Sequence, residues 1–539
     1  MPGLIKRFTD RIARLIPDSA TRDFVRHNRK AFPPRPDPGP NAPVVLIESN
    51  NWHSAHIAYS YLATVLADSY KARIKAYIPE LYSTPIERLK ARLRHLLRVR
   101  EFQVYGSFGA GSCIVPMLSA YQARRADLLC AEILAGIESR LDIEDIKIGE
   151  VWIGDLVYDS YLRDYNKPTI DWDLPEFRES LLGSIRIFVF WEDFFEANDV
   201  RAINASHCVY NVAIPLRIAL KKGIPAFQAN ATHVFRLRPD NMFAYTDFHY
   251  FRERFDSLPE HVCAAGVEEA KARIKRRFAG EVGVDMSYST KSAYGASRHP
   301  RLVRESPRTK VLIATHCFYD NPHSYGNNLF PDFYEWLDFL GRMTEETDYD
   351  WYIKTHADYL PGTKQIIDSF VEKYPRFTLL PPDSSHHQLI AEGIDVALTV
   401  LGTIAFEYAA LGKRVINASL NNPHISYDFN FHPKSLEEYR KLLLGLDRLE
   451  INIDRNQVYE FYFMKHIYNN ENWLFSSMER TVSELGGYTE QFTTKVYGKW
   501  LAEWSPERHE AVLSALGKFV ESGDFRIDAR HLAHAGRPA

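Results

Sequence analysis

IDVALTVLGTIAFEYAALGKRVIN, residues 394–417, is the stretch that decides the fold. VALTV (396–400) is an apolar run long enough for one buried strand. Gly402 permits a sharp turn, and Thr403 is of the residue type that caps a helix starting at Ile404. The helix over 404–411 ends at Gly412, and RVI (414–416) reads as the next strand. Strand, tight turn, helix and strand predict half of a parallel nucleotide-binding sheet. Such a turn aims backbone N–H groups and a helix N-terminus at one spot, which suits a phosphate. Glu407, one turn into the helix, is placed to accept hydrogen bonds from ribose hydroxyls. An ordinary βαβ unit, in which Gly402 and Thr403 only make the turn and the cap, accounts for the same residues equally well.

The pattern continues on both sides. KVLIA (310–314) is a strand that delivers Thr315 and His316, and WYIK (351–354) is another that ends in Thr355 and His356. A helix is predicted over 331–343, a short strand over 377–380, and a helix start at DSSHHQ (383–388). After residue 417 the sheet pattern fades, and 434–517 reads as helical and rich in aromatics. Residues 281–309 are polar and poor in large aliphatics, and predict a mobile linker.

The first half alternates in the same way. VVLI (44–47) is a buried strand, and the loop ESNNWHS (48–54) then leads into a helix through residue 66. Loops at the carboxyl ends of strands carry ligands in α/β domains, so His53 and His56 can face a cleft, or hold the loop together. IRIFVFW (185–191) reads as a buried strand, AINASHCV (202–209) as a strand and loop that deliver His207, and 223–227 as a strand following a helix over 214–221. In VWIGDLVYDSYLR (151–163), Asp155 follows an apolar run, and Asp159 and Arg163 have the i, i+4 spacing of a helical ion pair. VYGSFGAGS (104–112) is glycine-rich but lacks the Lys-Ser/Thr of a P-loop, and reads as a flexible loop.

With 539 residues, two large domains are expected. A composition of 45% hydrophobic and 25% charged residues is that of a soluble globular protein, and a net charge of −3 gives no general attraction to nucleic acid. Five scattered cysteines show no CxxC and no zinc spacing, which fits reduced thiols in a cytoplasmic protein. No apolar run reaches the ~18–20 residues that span a bilayer. Two basic amphipathic segments, LIKRFTDRIARLI (4–16) and PIERLKARLRHLLRVR (85–100), suit peripheral contact with an anionic membrane through residues 1–30 and 85–100; docked or solvated helices would look the same. A Pro-rich run closes the extension over 1–43.

On these motifs the chain resembles a GT-B glycosyltransferase, and more narrowly the bacterial capsule and lipopolysaccharide transferases, the group that includes Kdo transferases. The residues that carry the resemblance are Lys354-Thr-His356, the helix start at 383–388, VLGTIAFE (400–407) and GKRV (412–415), with Ala357 where the family commonly has proline. It implies an α/β protein with two Rossmann-like domains facing a cleft, over 44–280 and 310–433, and an aromatic-rich helical region over 434–539. It also implies a nucleotide-sugar donor held by His316, Lys354, His356, Gly402, Thr403 and Glu407, and a glycan or lipid-linked acceptor. Asp155, then His207, are the expected general bases, with His356 as a third catalytic group and His53, Asp159 and Arg163 on the acceptor side. No Asp-x-Asp stands in a metal-ligand context, so no metal or other cofactor is expected. The alternatives are a CDP-glycerol type polyol-phosphate transferase and a non-catalytic binding or scaffold protein.

Overall fold

The computed structural model describes residues 17–35, 39, 41–82, 86, 89, 99–286, 288–296, 299–356, 362–469 and 472–532. The first sheet contains β1 (Val44–Glu48), β2 (Arg73–Tyr77), β3 (Ala110–Ile114), β6 (Val200–Ala205), β7 (Ala226–Ala229) and β8 (Val234–Leu237), in the order β3-β2-β1-β6-β7-β8. Its strands are parallel except for β8, which pairs antiparallel with β7. β4 (Lys147–Ile148) and β5 (Val151–Trp152) form a separate short hairpin. The second sheet, β9 (Lys310–Ala314), β10 (Asp350–Lys354), β11 (Phe377–Leu379), β12 (Val396–Thr399) and β13 (Arg414–Asn417), is parallel throughout, in the order β11-β10-β9-β12-β13.

Both sheets start at the centre, run outward in one direction, and then return to the other side of the first strand. That reversal opens a crevice outside the carboxyl ends of β1 and β6, and a second outside those of β9 and β12. β1 and β10 are buried along their whole length, as strands covered by helices on both faces must be. Two Rossmann-like domains are therefore present, as the α/β pattern requires, with an aromatic-rich helical region after them.

Three expectations are corrected. IRIFVFW (185–191) is no strand but the middle of the 23-residue helix Pro175–Ala197, which starts with a proline in its first turn and buries Ile185, Phe188, Val189 and Trp191. Six apolar residues in seven show no clear periodicity of their own where the helix is at least partly covered all round. Residues 281–309 are no mobile linker: Tyr294 and Val303 are buried, and the backbone N–H groups of Leu302 and Val303 both donate to Glu392 at 2.8 Å. Finally, VYGSFGAGS (104–112) is no flexible loop: it ends the helix Val99–Ser107 and opens β3, with Val104, Tyr105 and Phe108 buried. The helical region after the second domain packs on both domains. Phe461, Phe463 and Met464 pack against Phe406 of the second domain. Trp473, Tyr497, Trp500 and Phe519 instead share a core with Val45 and Ile47 of β1.

The segment 4–16 and most of 85–100 lie outside the described residues; within the latter, Ile86 and Leu89 are exposed. Helix Ser19–Ala31 is docked, with Phe24 stacked on Tyr497 at 4.2 Å. No helix among the described residues is long and apolar enough to cross a membrane.

Candidate functional site

The crevice between β9 and β12 is built from the first residues beyond each strand. β9 hands the chain to Thr315 and His316, and β12 to the turn 399–402. His316 Nε2 lies 3.2 Å from the Val400 N–H, 3.4 Å from the Leu401 N–H and 3.1 Å from Thr399 Oγ1. The ring stacks on Phe333 with centroids 4.5 Å apart. Burial, then the charge of His356, push the His316 pKa down to about 3.

Gly402 has its place for a reason other than φ. A Cβ there would lie 2.7 Å from Thr399 Oγ1, which accepts the Gly402 N–H at 3.2 Å. The turn closes only because no side chain intervenes. Thr403 does not cap the helix Ile404–Ala410 as expected: it already has helical dihedrals, φ −62° and ψ −21°, from which its hydroxyl makes no capping bond. An N-cap residue needs extended dihedrals for its side chain to turn back onto the first N–H groups.

Around this turn lies a cavity of about 140 Å³, roughly ten times what one water requires. All six residues expected on the donor side, His316, Lys354, His356, Gly402, Thr403 and Glu407, line it. Lys354 closes β10, is buried, and donates from Nζ to the Pro382 carbonyl at 3.0 Å. Burial lowers its pKa to about 8, with Glu407 and Asp383 acting against that fall. His356 lines the same cavity from an exposed position.

Glu407 does not stand open for ribose. Its Oε1 accepts from Arg277 Nε at 2.8 Å and from Arg277 Nη2, and its Oε2 accepts from the Tyr294 hydroxyl at 2.8 Å. Both oxygens are thus engaged inside the protein. Arg277 comes from the helix Glu260–Phe278, and Tyr294 from the segment read as a linker. His386 also lines the cavity, its Nδ1 2.9 Å from the Tyr408 hydroxyl, and burial holds its pKa well below the usual histidine value. Arg277, Tyr294 and His386 escaped the sequence reading. The only signal was the pair of histidines in DSSHHQ; an aromatic in a polar stretch and an arginine near a helix end are too common to single out.

The first-domain candidates scatter. Asp155 is buried in an ion pair with Arg217, side chains 2% and 1% exposed, and the guanidinium lies against the rings of Trp152 and Phe243, 5.0 and 5.1 Å from their centroids. A carboxylate so enclosed reaches no acceptor, which withdraws it as the general base. Asp159 and Arg163 do not pair with each other. Asp159 Oδ1 meets His323 Nδ1 at 2.6 Å, and His323 Nε2 lies 3.3 Å from Glu144. Those two carboxylates raise the His323 pKa well above the usual value against the opposing effect of burial, and the buried His323 joins the two domains. Arg163 reaches Asp320 at 3.0 Å. His53 Nδ1 bonds the Phe492 carbonyl, and His56 lies between the Tyr497 hydroxyl and the Asn50 carbonyl, so both tie the loop after β1 to its surroundings.

His207 stays at the β1/β6 crevice. Its Nδ1 is 3.0 Å from Ser206 Oγ and its ring meets Trp52 edge-on at 4.6 Å. Burial lowers its pKa to about 4, with the Asp320 charge from the other domain acting to raise it. Nearby Tyr210 holds φ 57° and ψ −175°, a conformation that costs a bulky residue about 1–3 kcal/mol, while its hydroxyl donates to Asp320 at 3.0 Å. Among the described residues no three His, Cys, Asp or Glu side chains converge to hold a metal ion.

No protein-family model matches the sequence, and no curated protein sequence matches it. Solved structures do align. A UDP-GlcNAc 2-epimerase from Neisseria meningitidis is 9% identical over 78% of this chain and 99% of its own, with a TM-score of 0.19. MurG from Acinetobacter baumannii is 9% identical over 88% and 99%, with a TM-score of 0.18. A glycosyltransferase from Rickettsia africae is 8% identical over 93% and 100%, with a TM-score of 0.21. At such scores these likenesses carry no argument about function, and the fold rests on the strand order itself.

Proposed function

We propose that the chain is a GT-B type glycosyltransferase that holds a nucleotide-sugar in the β9/β12 crevice and passes the sugar to a glycan or lipid-linked acceptor. The observation that carries this reading is the convergence of Lys354 and Arg277 with His316 and His386 on one cavity at the switch point of a parallel sheet. Departure of a nucleoside diphosphate or monophosphate builds negative charge, and fixed cations and N–H donors in a partly dry cleft stabilise it. Lys354, still protonated at neutral pH, is the group best placed to meet that charge; Arg277 is already paired with Glu407 and screens from behind. His356, exposed at the cavity, completes the donor side.

For the acceptor, His207 takes over the role first assigned to Asp155. It is neutral at physiological pH, so a lone pair is available to accept a hydroxyl proton. An acceptor in bacterial surface polysaccharide synthesis, capsule or lipopolysaccharide, fits a chain that meets the inner face of a membrane through residues 1–30 and 85–100.

A thermal-shift panel of UDP-, GDP- and CMP-sugars and CDP-glycerol, followed by hydrolysis assays, tests the reading. Stabilisation by one sugar nucleotide, abolished in Lys354→Met, is expected. Stabilisation by CDP-glycerol alone moves the assignment to polyol-phosphate transfer. A chain that binds none of them and hydrolyses none is not a glycosyltransferase.

A further inference from the structure

His316 is the residue of the donor cleft whose protonation the backbone itself dictates. Imidazole has one lone pair and one N–H when neutral, and two N–H groups when charged. Here Nε2 faces the Val400 and Leu401 N–H groups at 3.2 and 3.4 Å, with the Thr399 hydroxyl at 3.1 Å. Backbone N–H groups can only donate, so Nε2 must carry the lone pair and Nδ1 the hydrogen. A proton added to Nε2 would face two N–H dipoles and break both bonds. Among the described residues no carboxylate acts on the ring to repay such a charge; the only charged neighbour felt there is His356, which opposes it. Among the described residues Nδ1 has no partner, and the side chain lines the cavity that Lys354 closes.

We propose that His316 is a permanently neutral hydrogen-bond donor, locked by the 399–402 turn in the Nδ1–H tautomer, and that it gives this N–H to a phosphate oxygen of the donor nucleotide. The second half rests on reading the cleft as a nucleotide site; the first does not. The two groups of the cleft then divide the work. Lys354 supplies charge, which pH can remove. His316 supplies direction, which pH leaves untouched, and it adds no cation that would hold the phosphate product after transfer. The glycine at position 402 belongs to the same device, since the Cβ it lacks would also come within 3.4 Å of the His316 ring.

The test uses the full chain with 15N-labelled histidine rings and inorganic pyrophosphate as the probe. The His316 ring, assigned by its absence in His316→Asn, is expected to show a protonated Nδ1 and an unprotonated Nε2 from about pH 5.5 to 8.5, without titrating. In calorimetry, His316→Asn, whose side-chain amide replaces the Nδ1–H, should bind pyrophosphate within about threefold of the unmodified chain. His316→Phe, which keeps the ring against Phe333 but lacks the donor, should bind at least about tenfold more weakly. A ring that titrates in this range, or that carries its proton on Nε2, overturns the proposal whatever the two affinities, and either variant supplies the assignment because both lack the imidazole ring. Equal affinity in His316→Phe overturns the phosphate contact alone. If the unmodified chain binds neither pyrophosphate nor any nucleotide, the reading of the cleft fails with it, while the tautomer is still read directly from the ring.

Discussion

The two crevices of this molecule have the same strand order and opposite contents. At β9/β12 the carboxyl ends open onto a cavity with Lys354, His316 and His386 around it. At β1/β6 the equivalent positions are largely filled. Glu48 is buried and accepts the Ser206 N–H, Tyr105 donates to the Glu48 carbonyl at 2.8 Å, and His56 is fixed between Asn50 and Tyr497. Burial raises the Glu48 pKa against the pull of its hydrogen bonds. Topology therefore decides where a ligand can sit, and side-chain chemistry decides whether the place is left open. One crevice is left as open space; the other is mostly filled by its own side chains, with His207 at its edge.

The sharpest way to break this contrast is at Asp155. If the first domain uses its acidic residues as scaffold, Asp155→Ala leaves Arg217 buried and unpaired and should cost about 3–5 kcal/mol in chemical denaturation. Nucleotide affinity of the folded fraction should stay unchanged; a stable but inactive variant would restore Asp155 as a catalytic group. The next effect belongs to the open crevice. Lys354→Met should weaken the nucleotide selected by the panel by about 1.5–3 kcal/mol, roughly ten- to hundredfold, in calorimetry.

Lys354 also predicts a pH dependence with two signs. Its pKa near 8 means that the cation is lost as pH rises through that value, so anion affinity should fall above about pH 8, by at most about tenfold per unit. Stability moves the other way. Between about 8 and the 10.5 of an ordinary lysine the unfolded chain holds the proton that the folded chain has released, so the Lys354 contribution to stability rises with pH across that window. Paired calorimetric and denaturation series in the native chain and in Lys354→Met isolate both slopes. The smallest effect concerns Thr403. Since its hydroxyl makes no cap, Thr403→Val should change stability by less than about 0.5 kcal/mol in a thermal melt, where loss of a working cap costs about 1 kcal/mol.

The sequence was most readable where strands are short, apolar and punctuated. β9 and the helix Ile214–Lys221 fall where the pattern put them, and all six donor-side residues line one cavity because they lie at the ends of β9 and β10 or in the turn and helix after β12. It was least readable where an apolar run lacks a period, as in Pro175–Ala197, and where a charge finds its partner far along the chain. Nothing local to Asp155 announces Arg217, 62 residues on, and nothing near Glu407 announces Arg277, 130 residues back. Sequence spacing can show that a carboxylate is unusual; it cannot show that it is already neutralised.

The return of the chain to β1 has a consequence for how the protein is made. Val45 and Ile47 leave the ribosome long before the Tyr497, Trp500 and Phe519 rings that share their core. At about 5–20 residues per second, the some 450 residues between Val45 and Tyr497 take on the order of 20–90 s. The second sheet is complete at Asn417, so it can close while the first still lacks its cover. Of the two sheets the one begun first is covered last, and for that interval the apolar face those rings cover stays bare on the nascent chain.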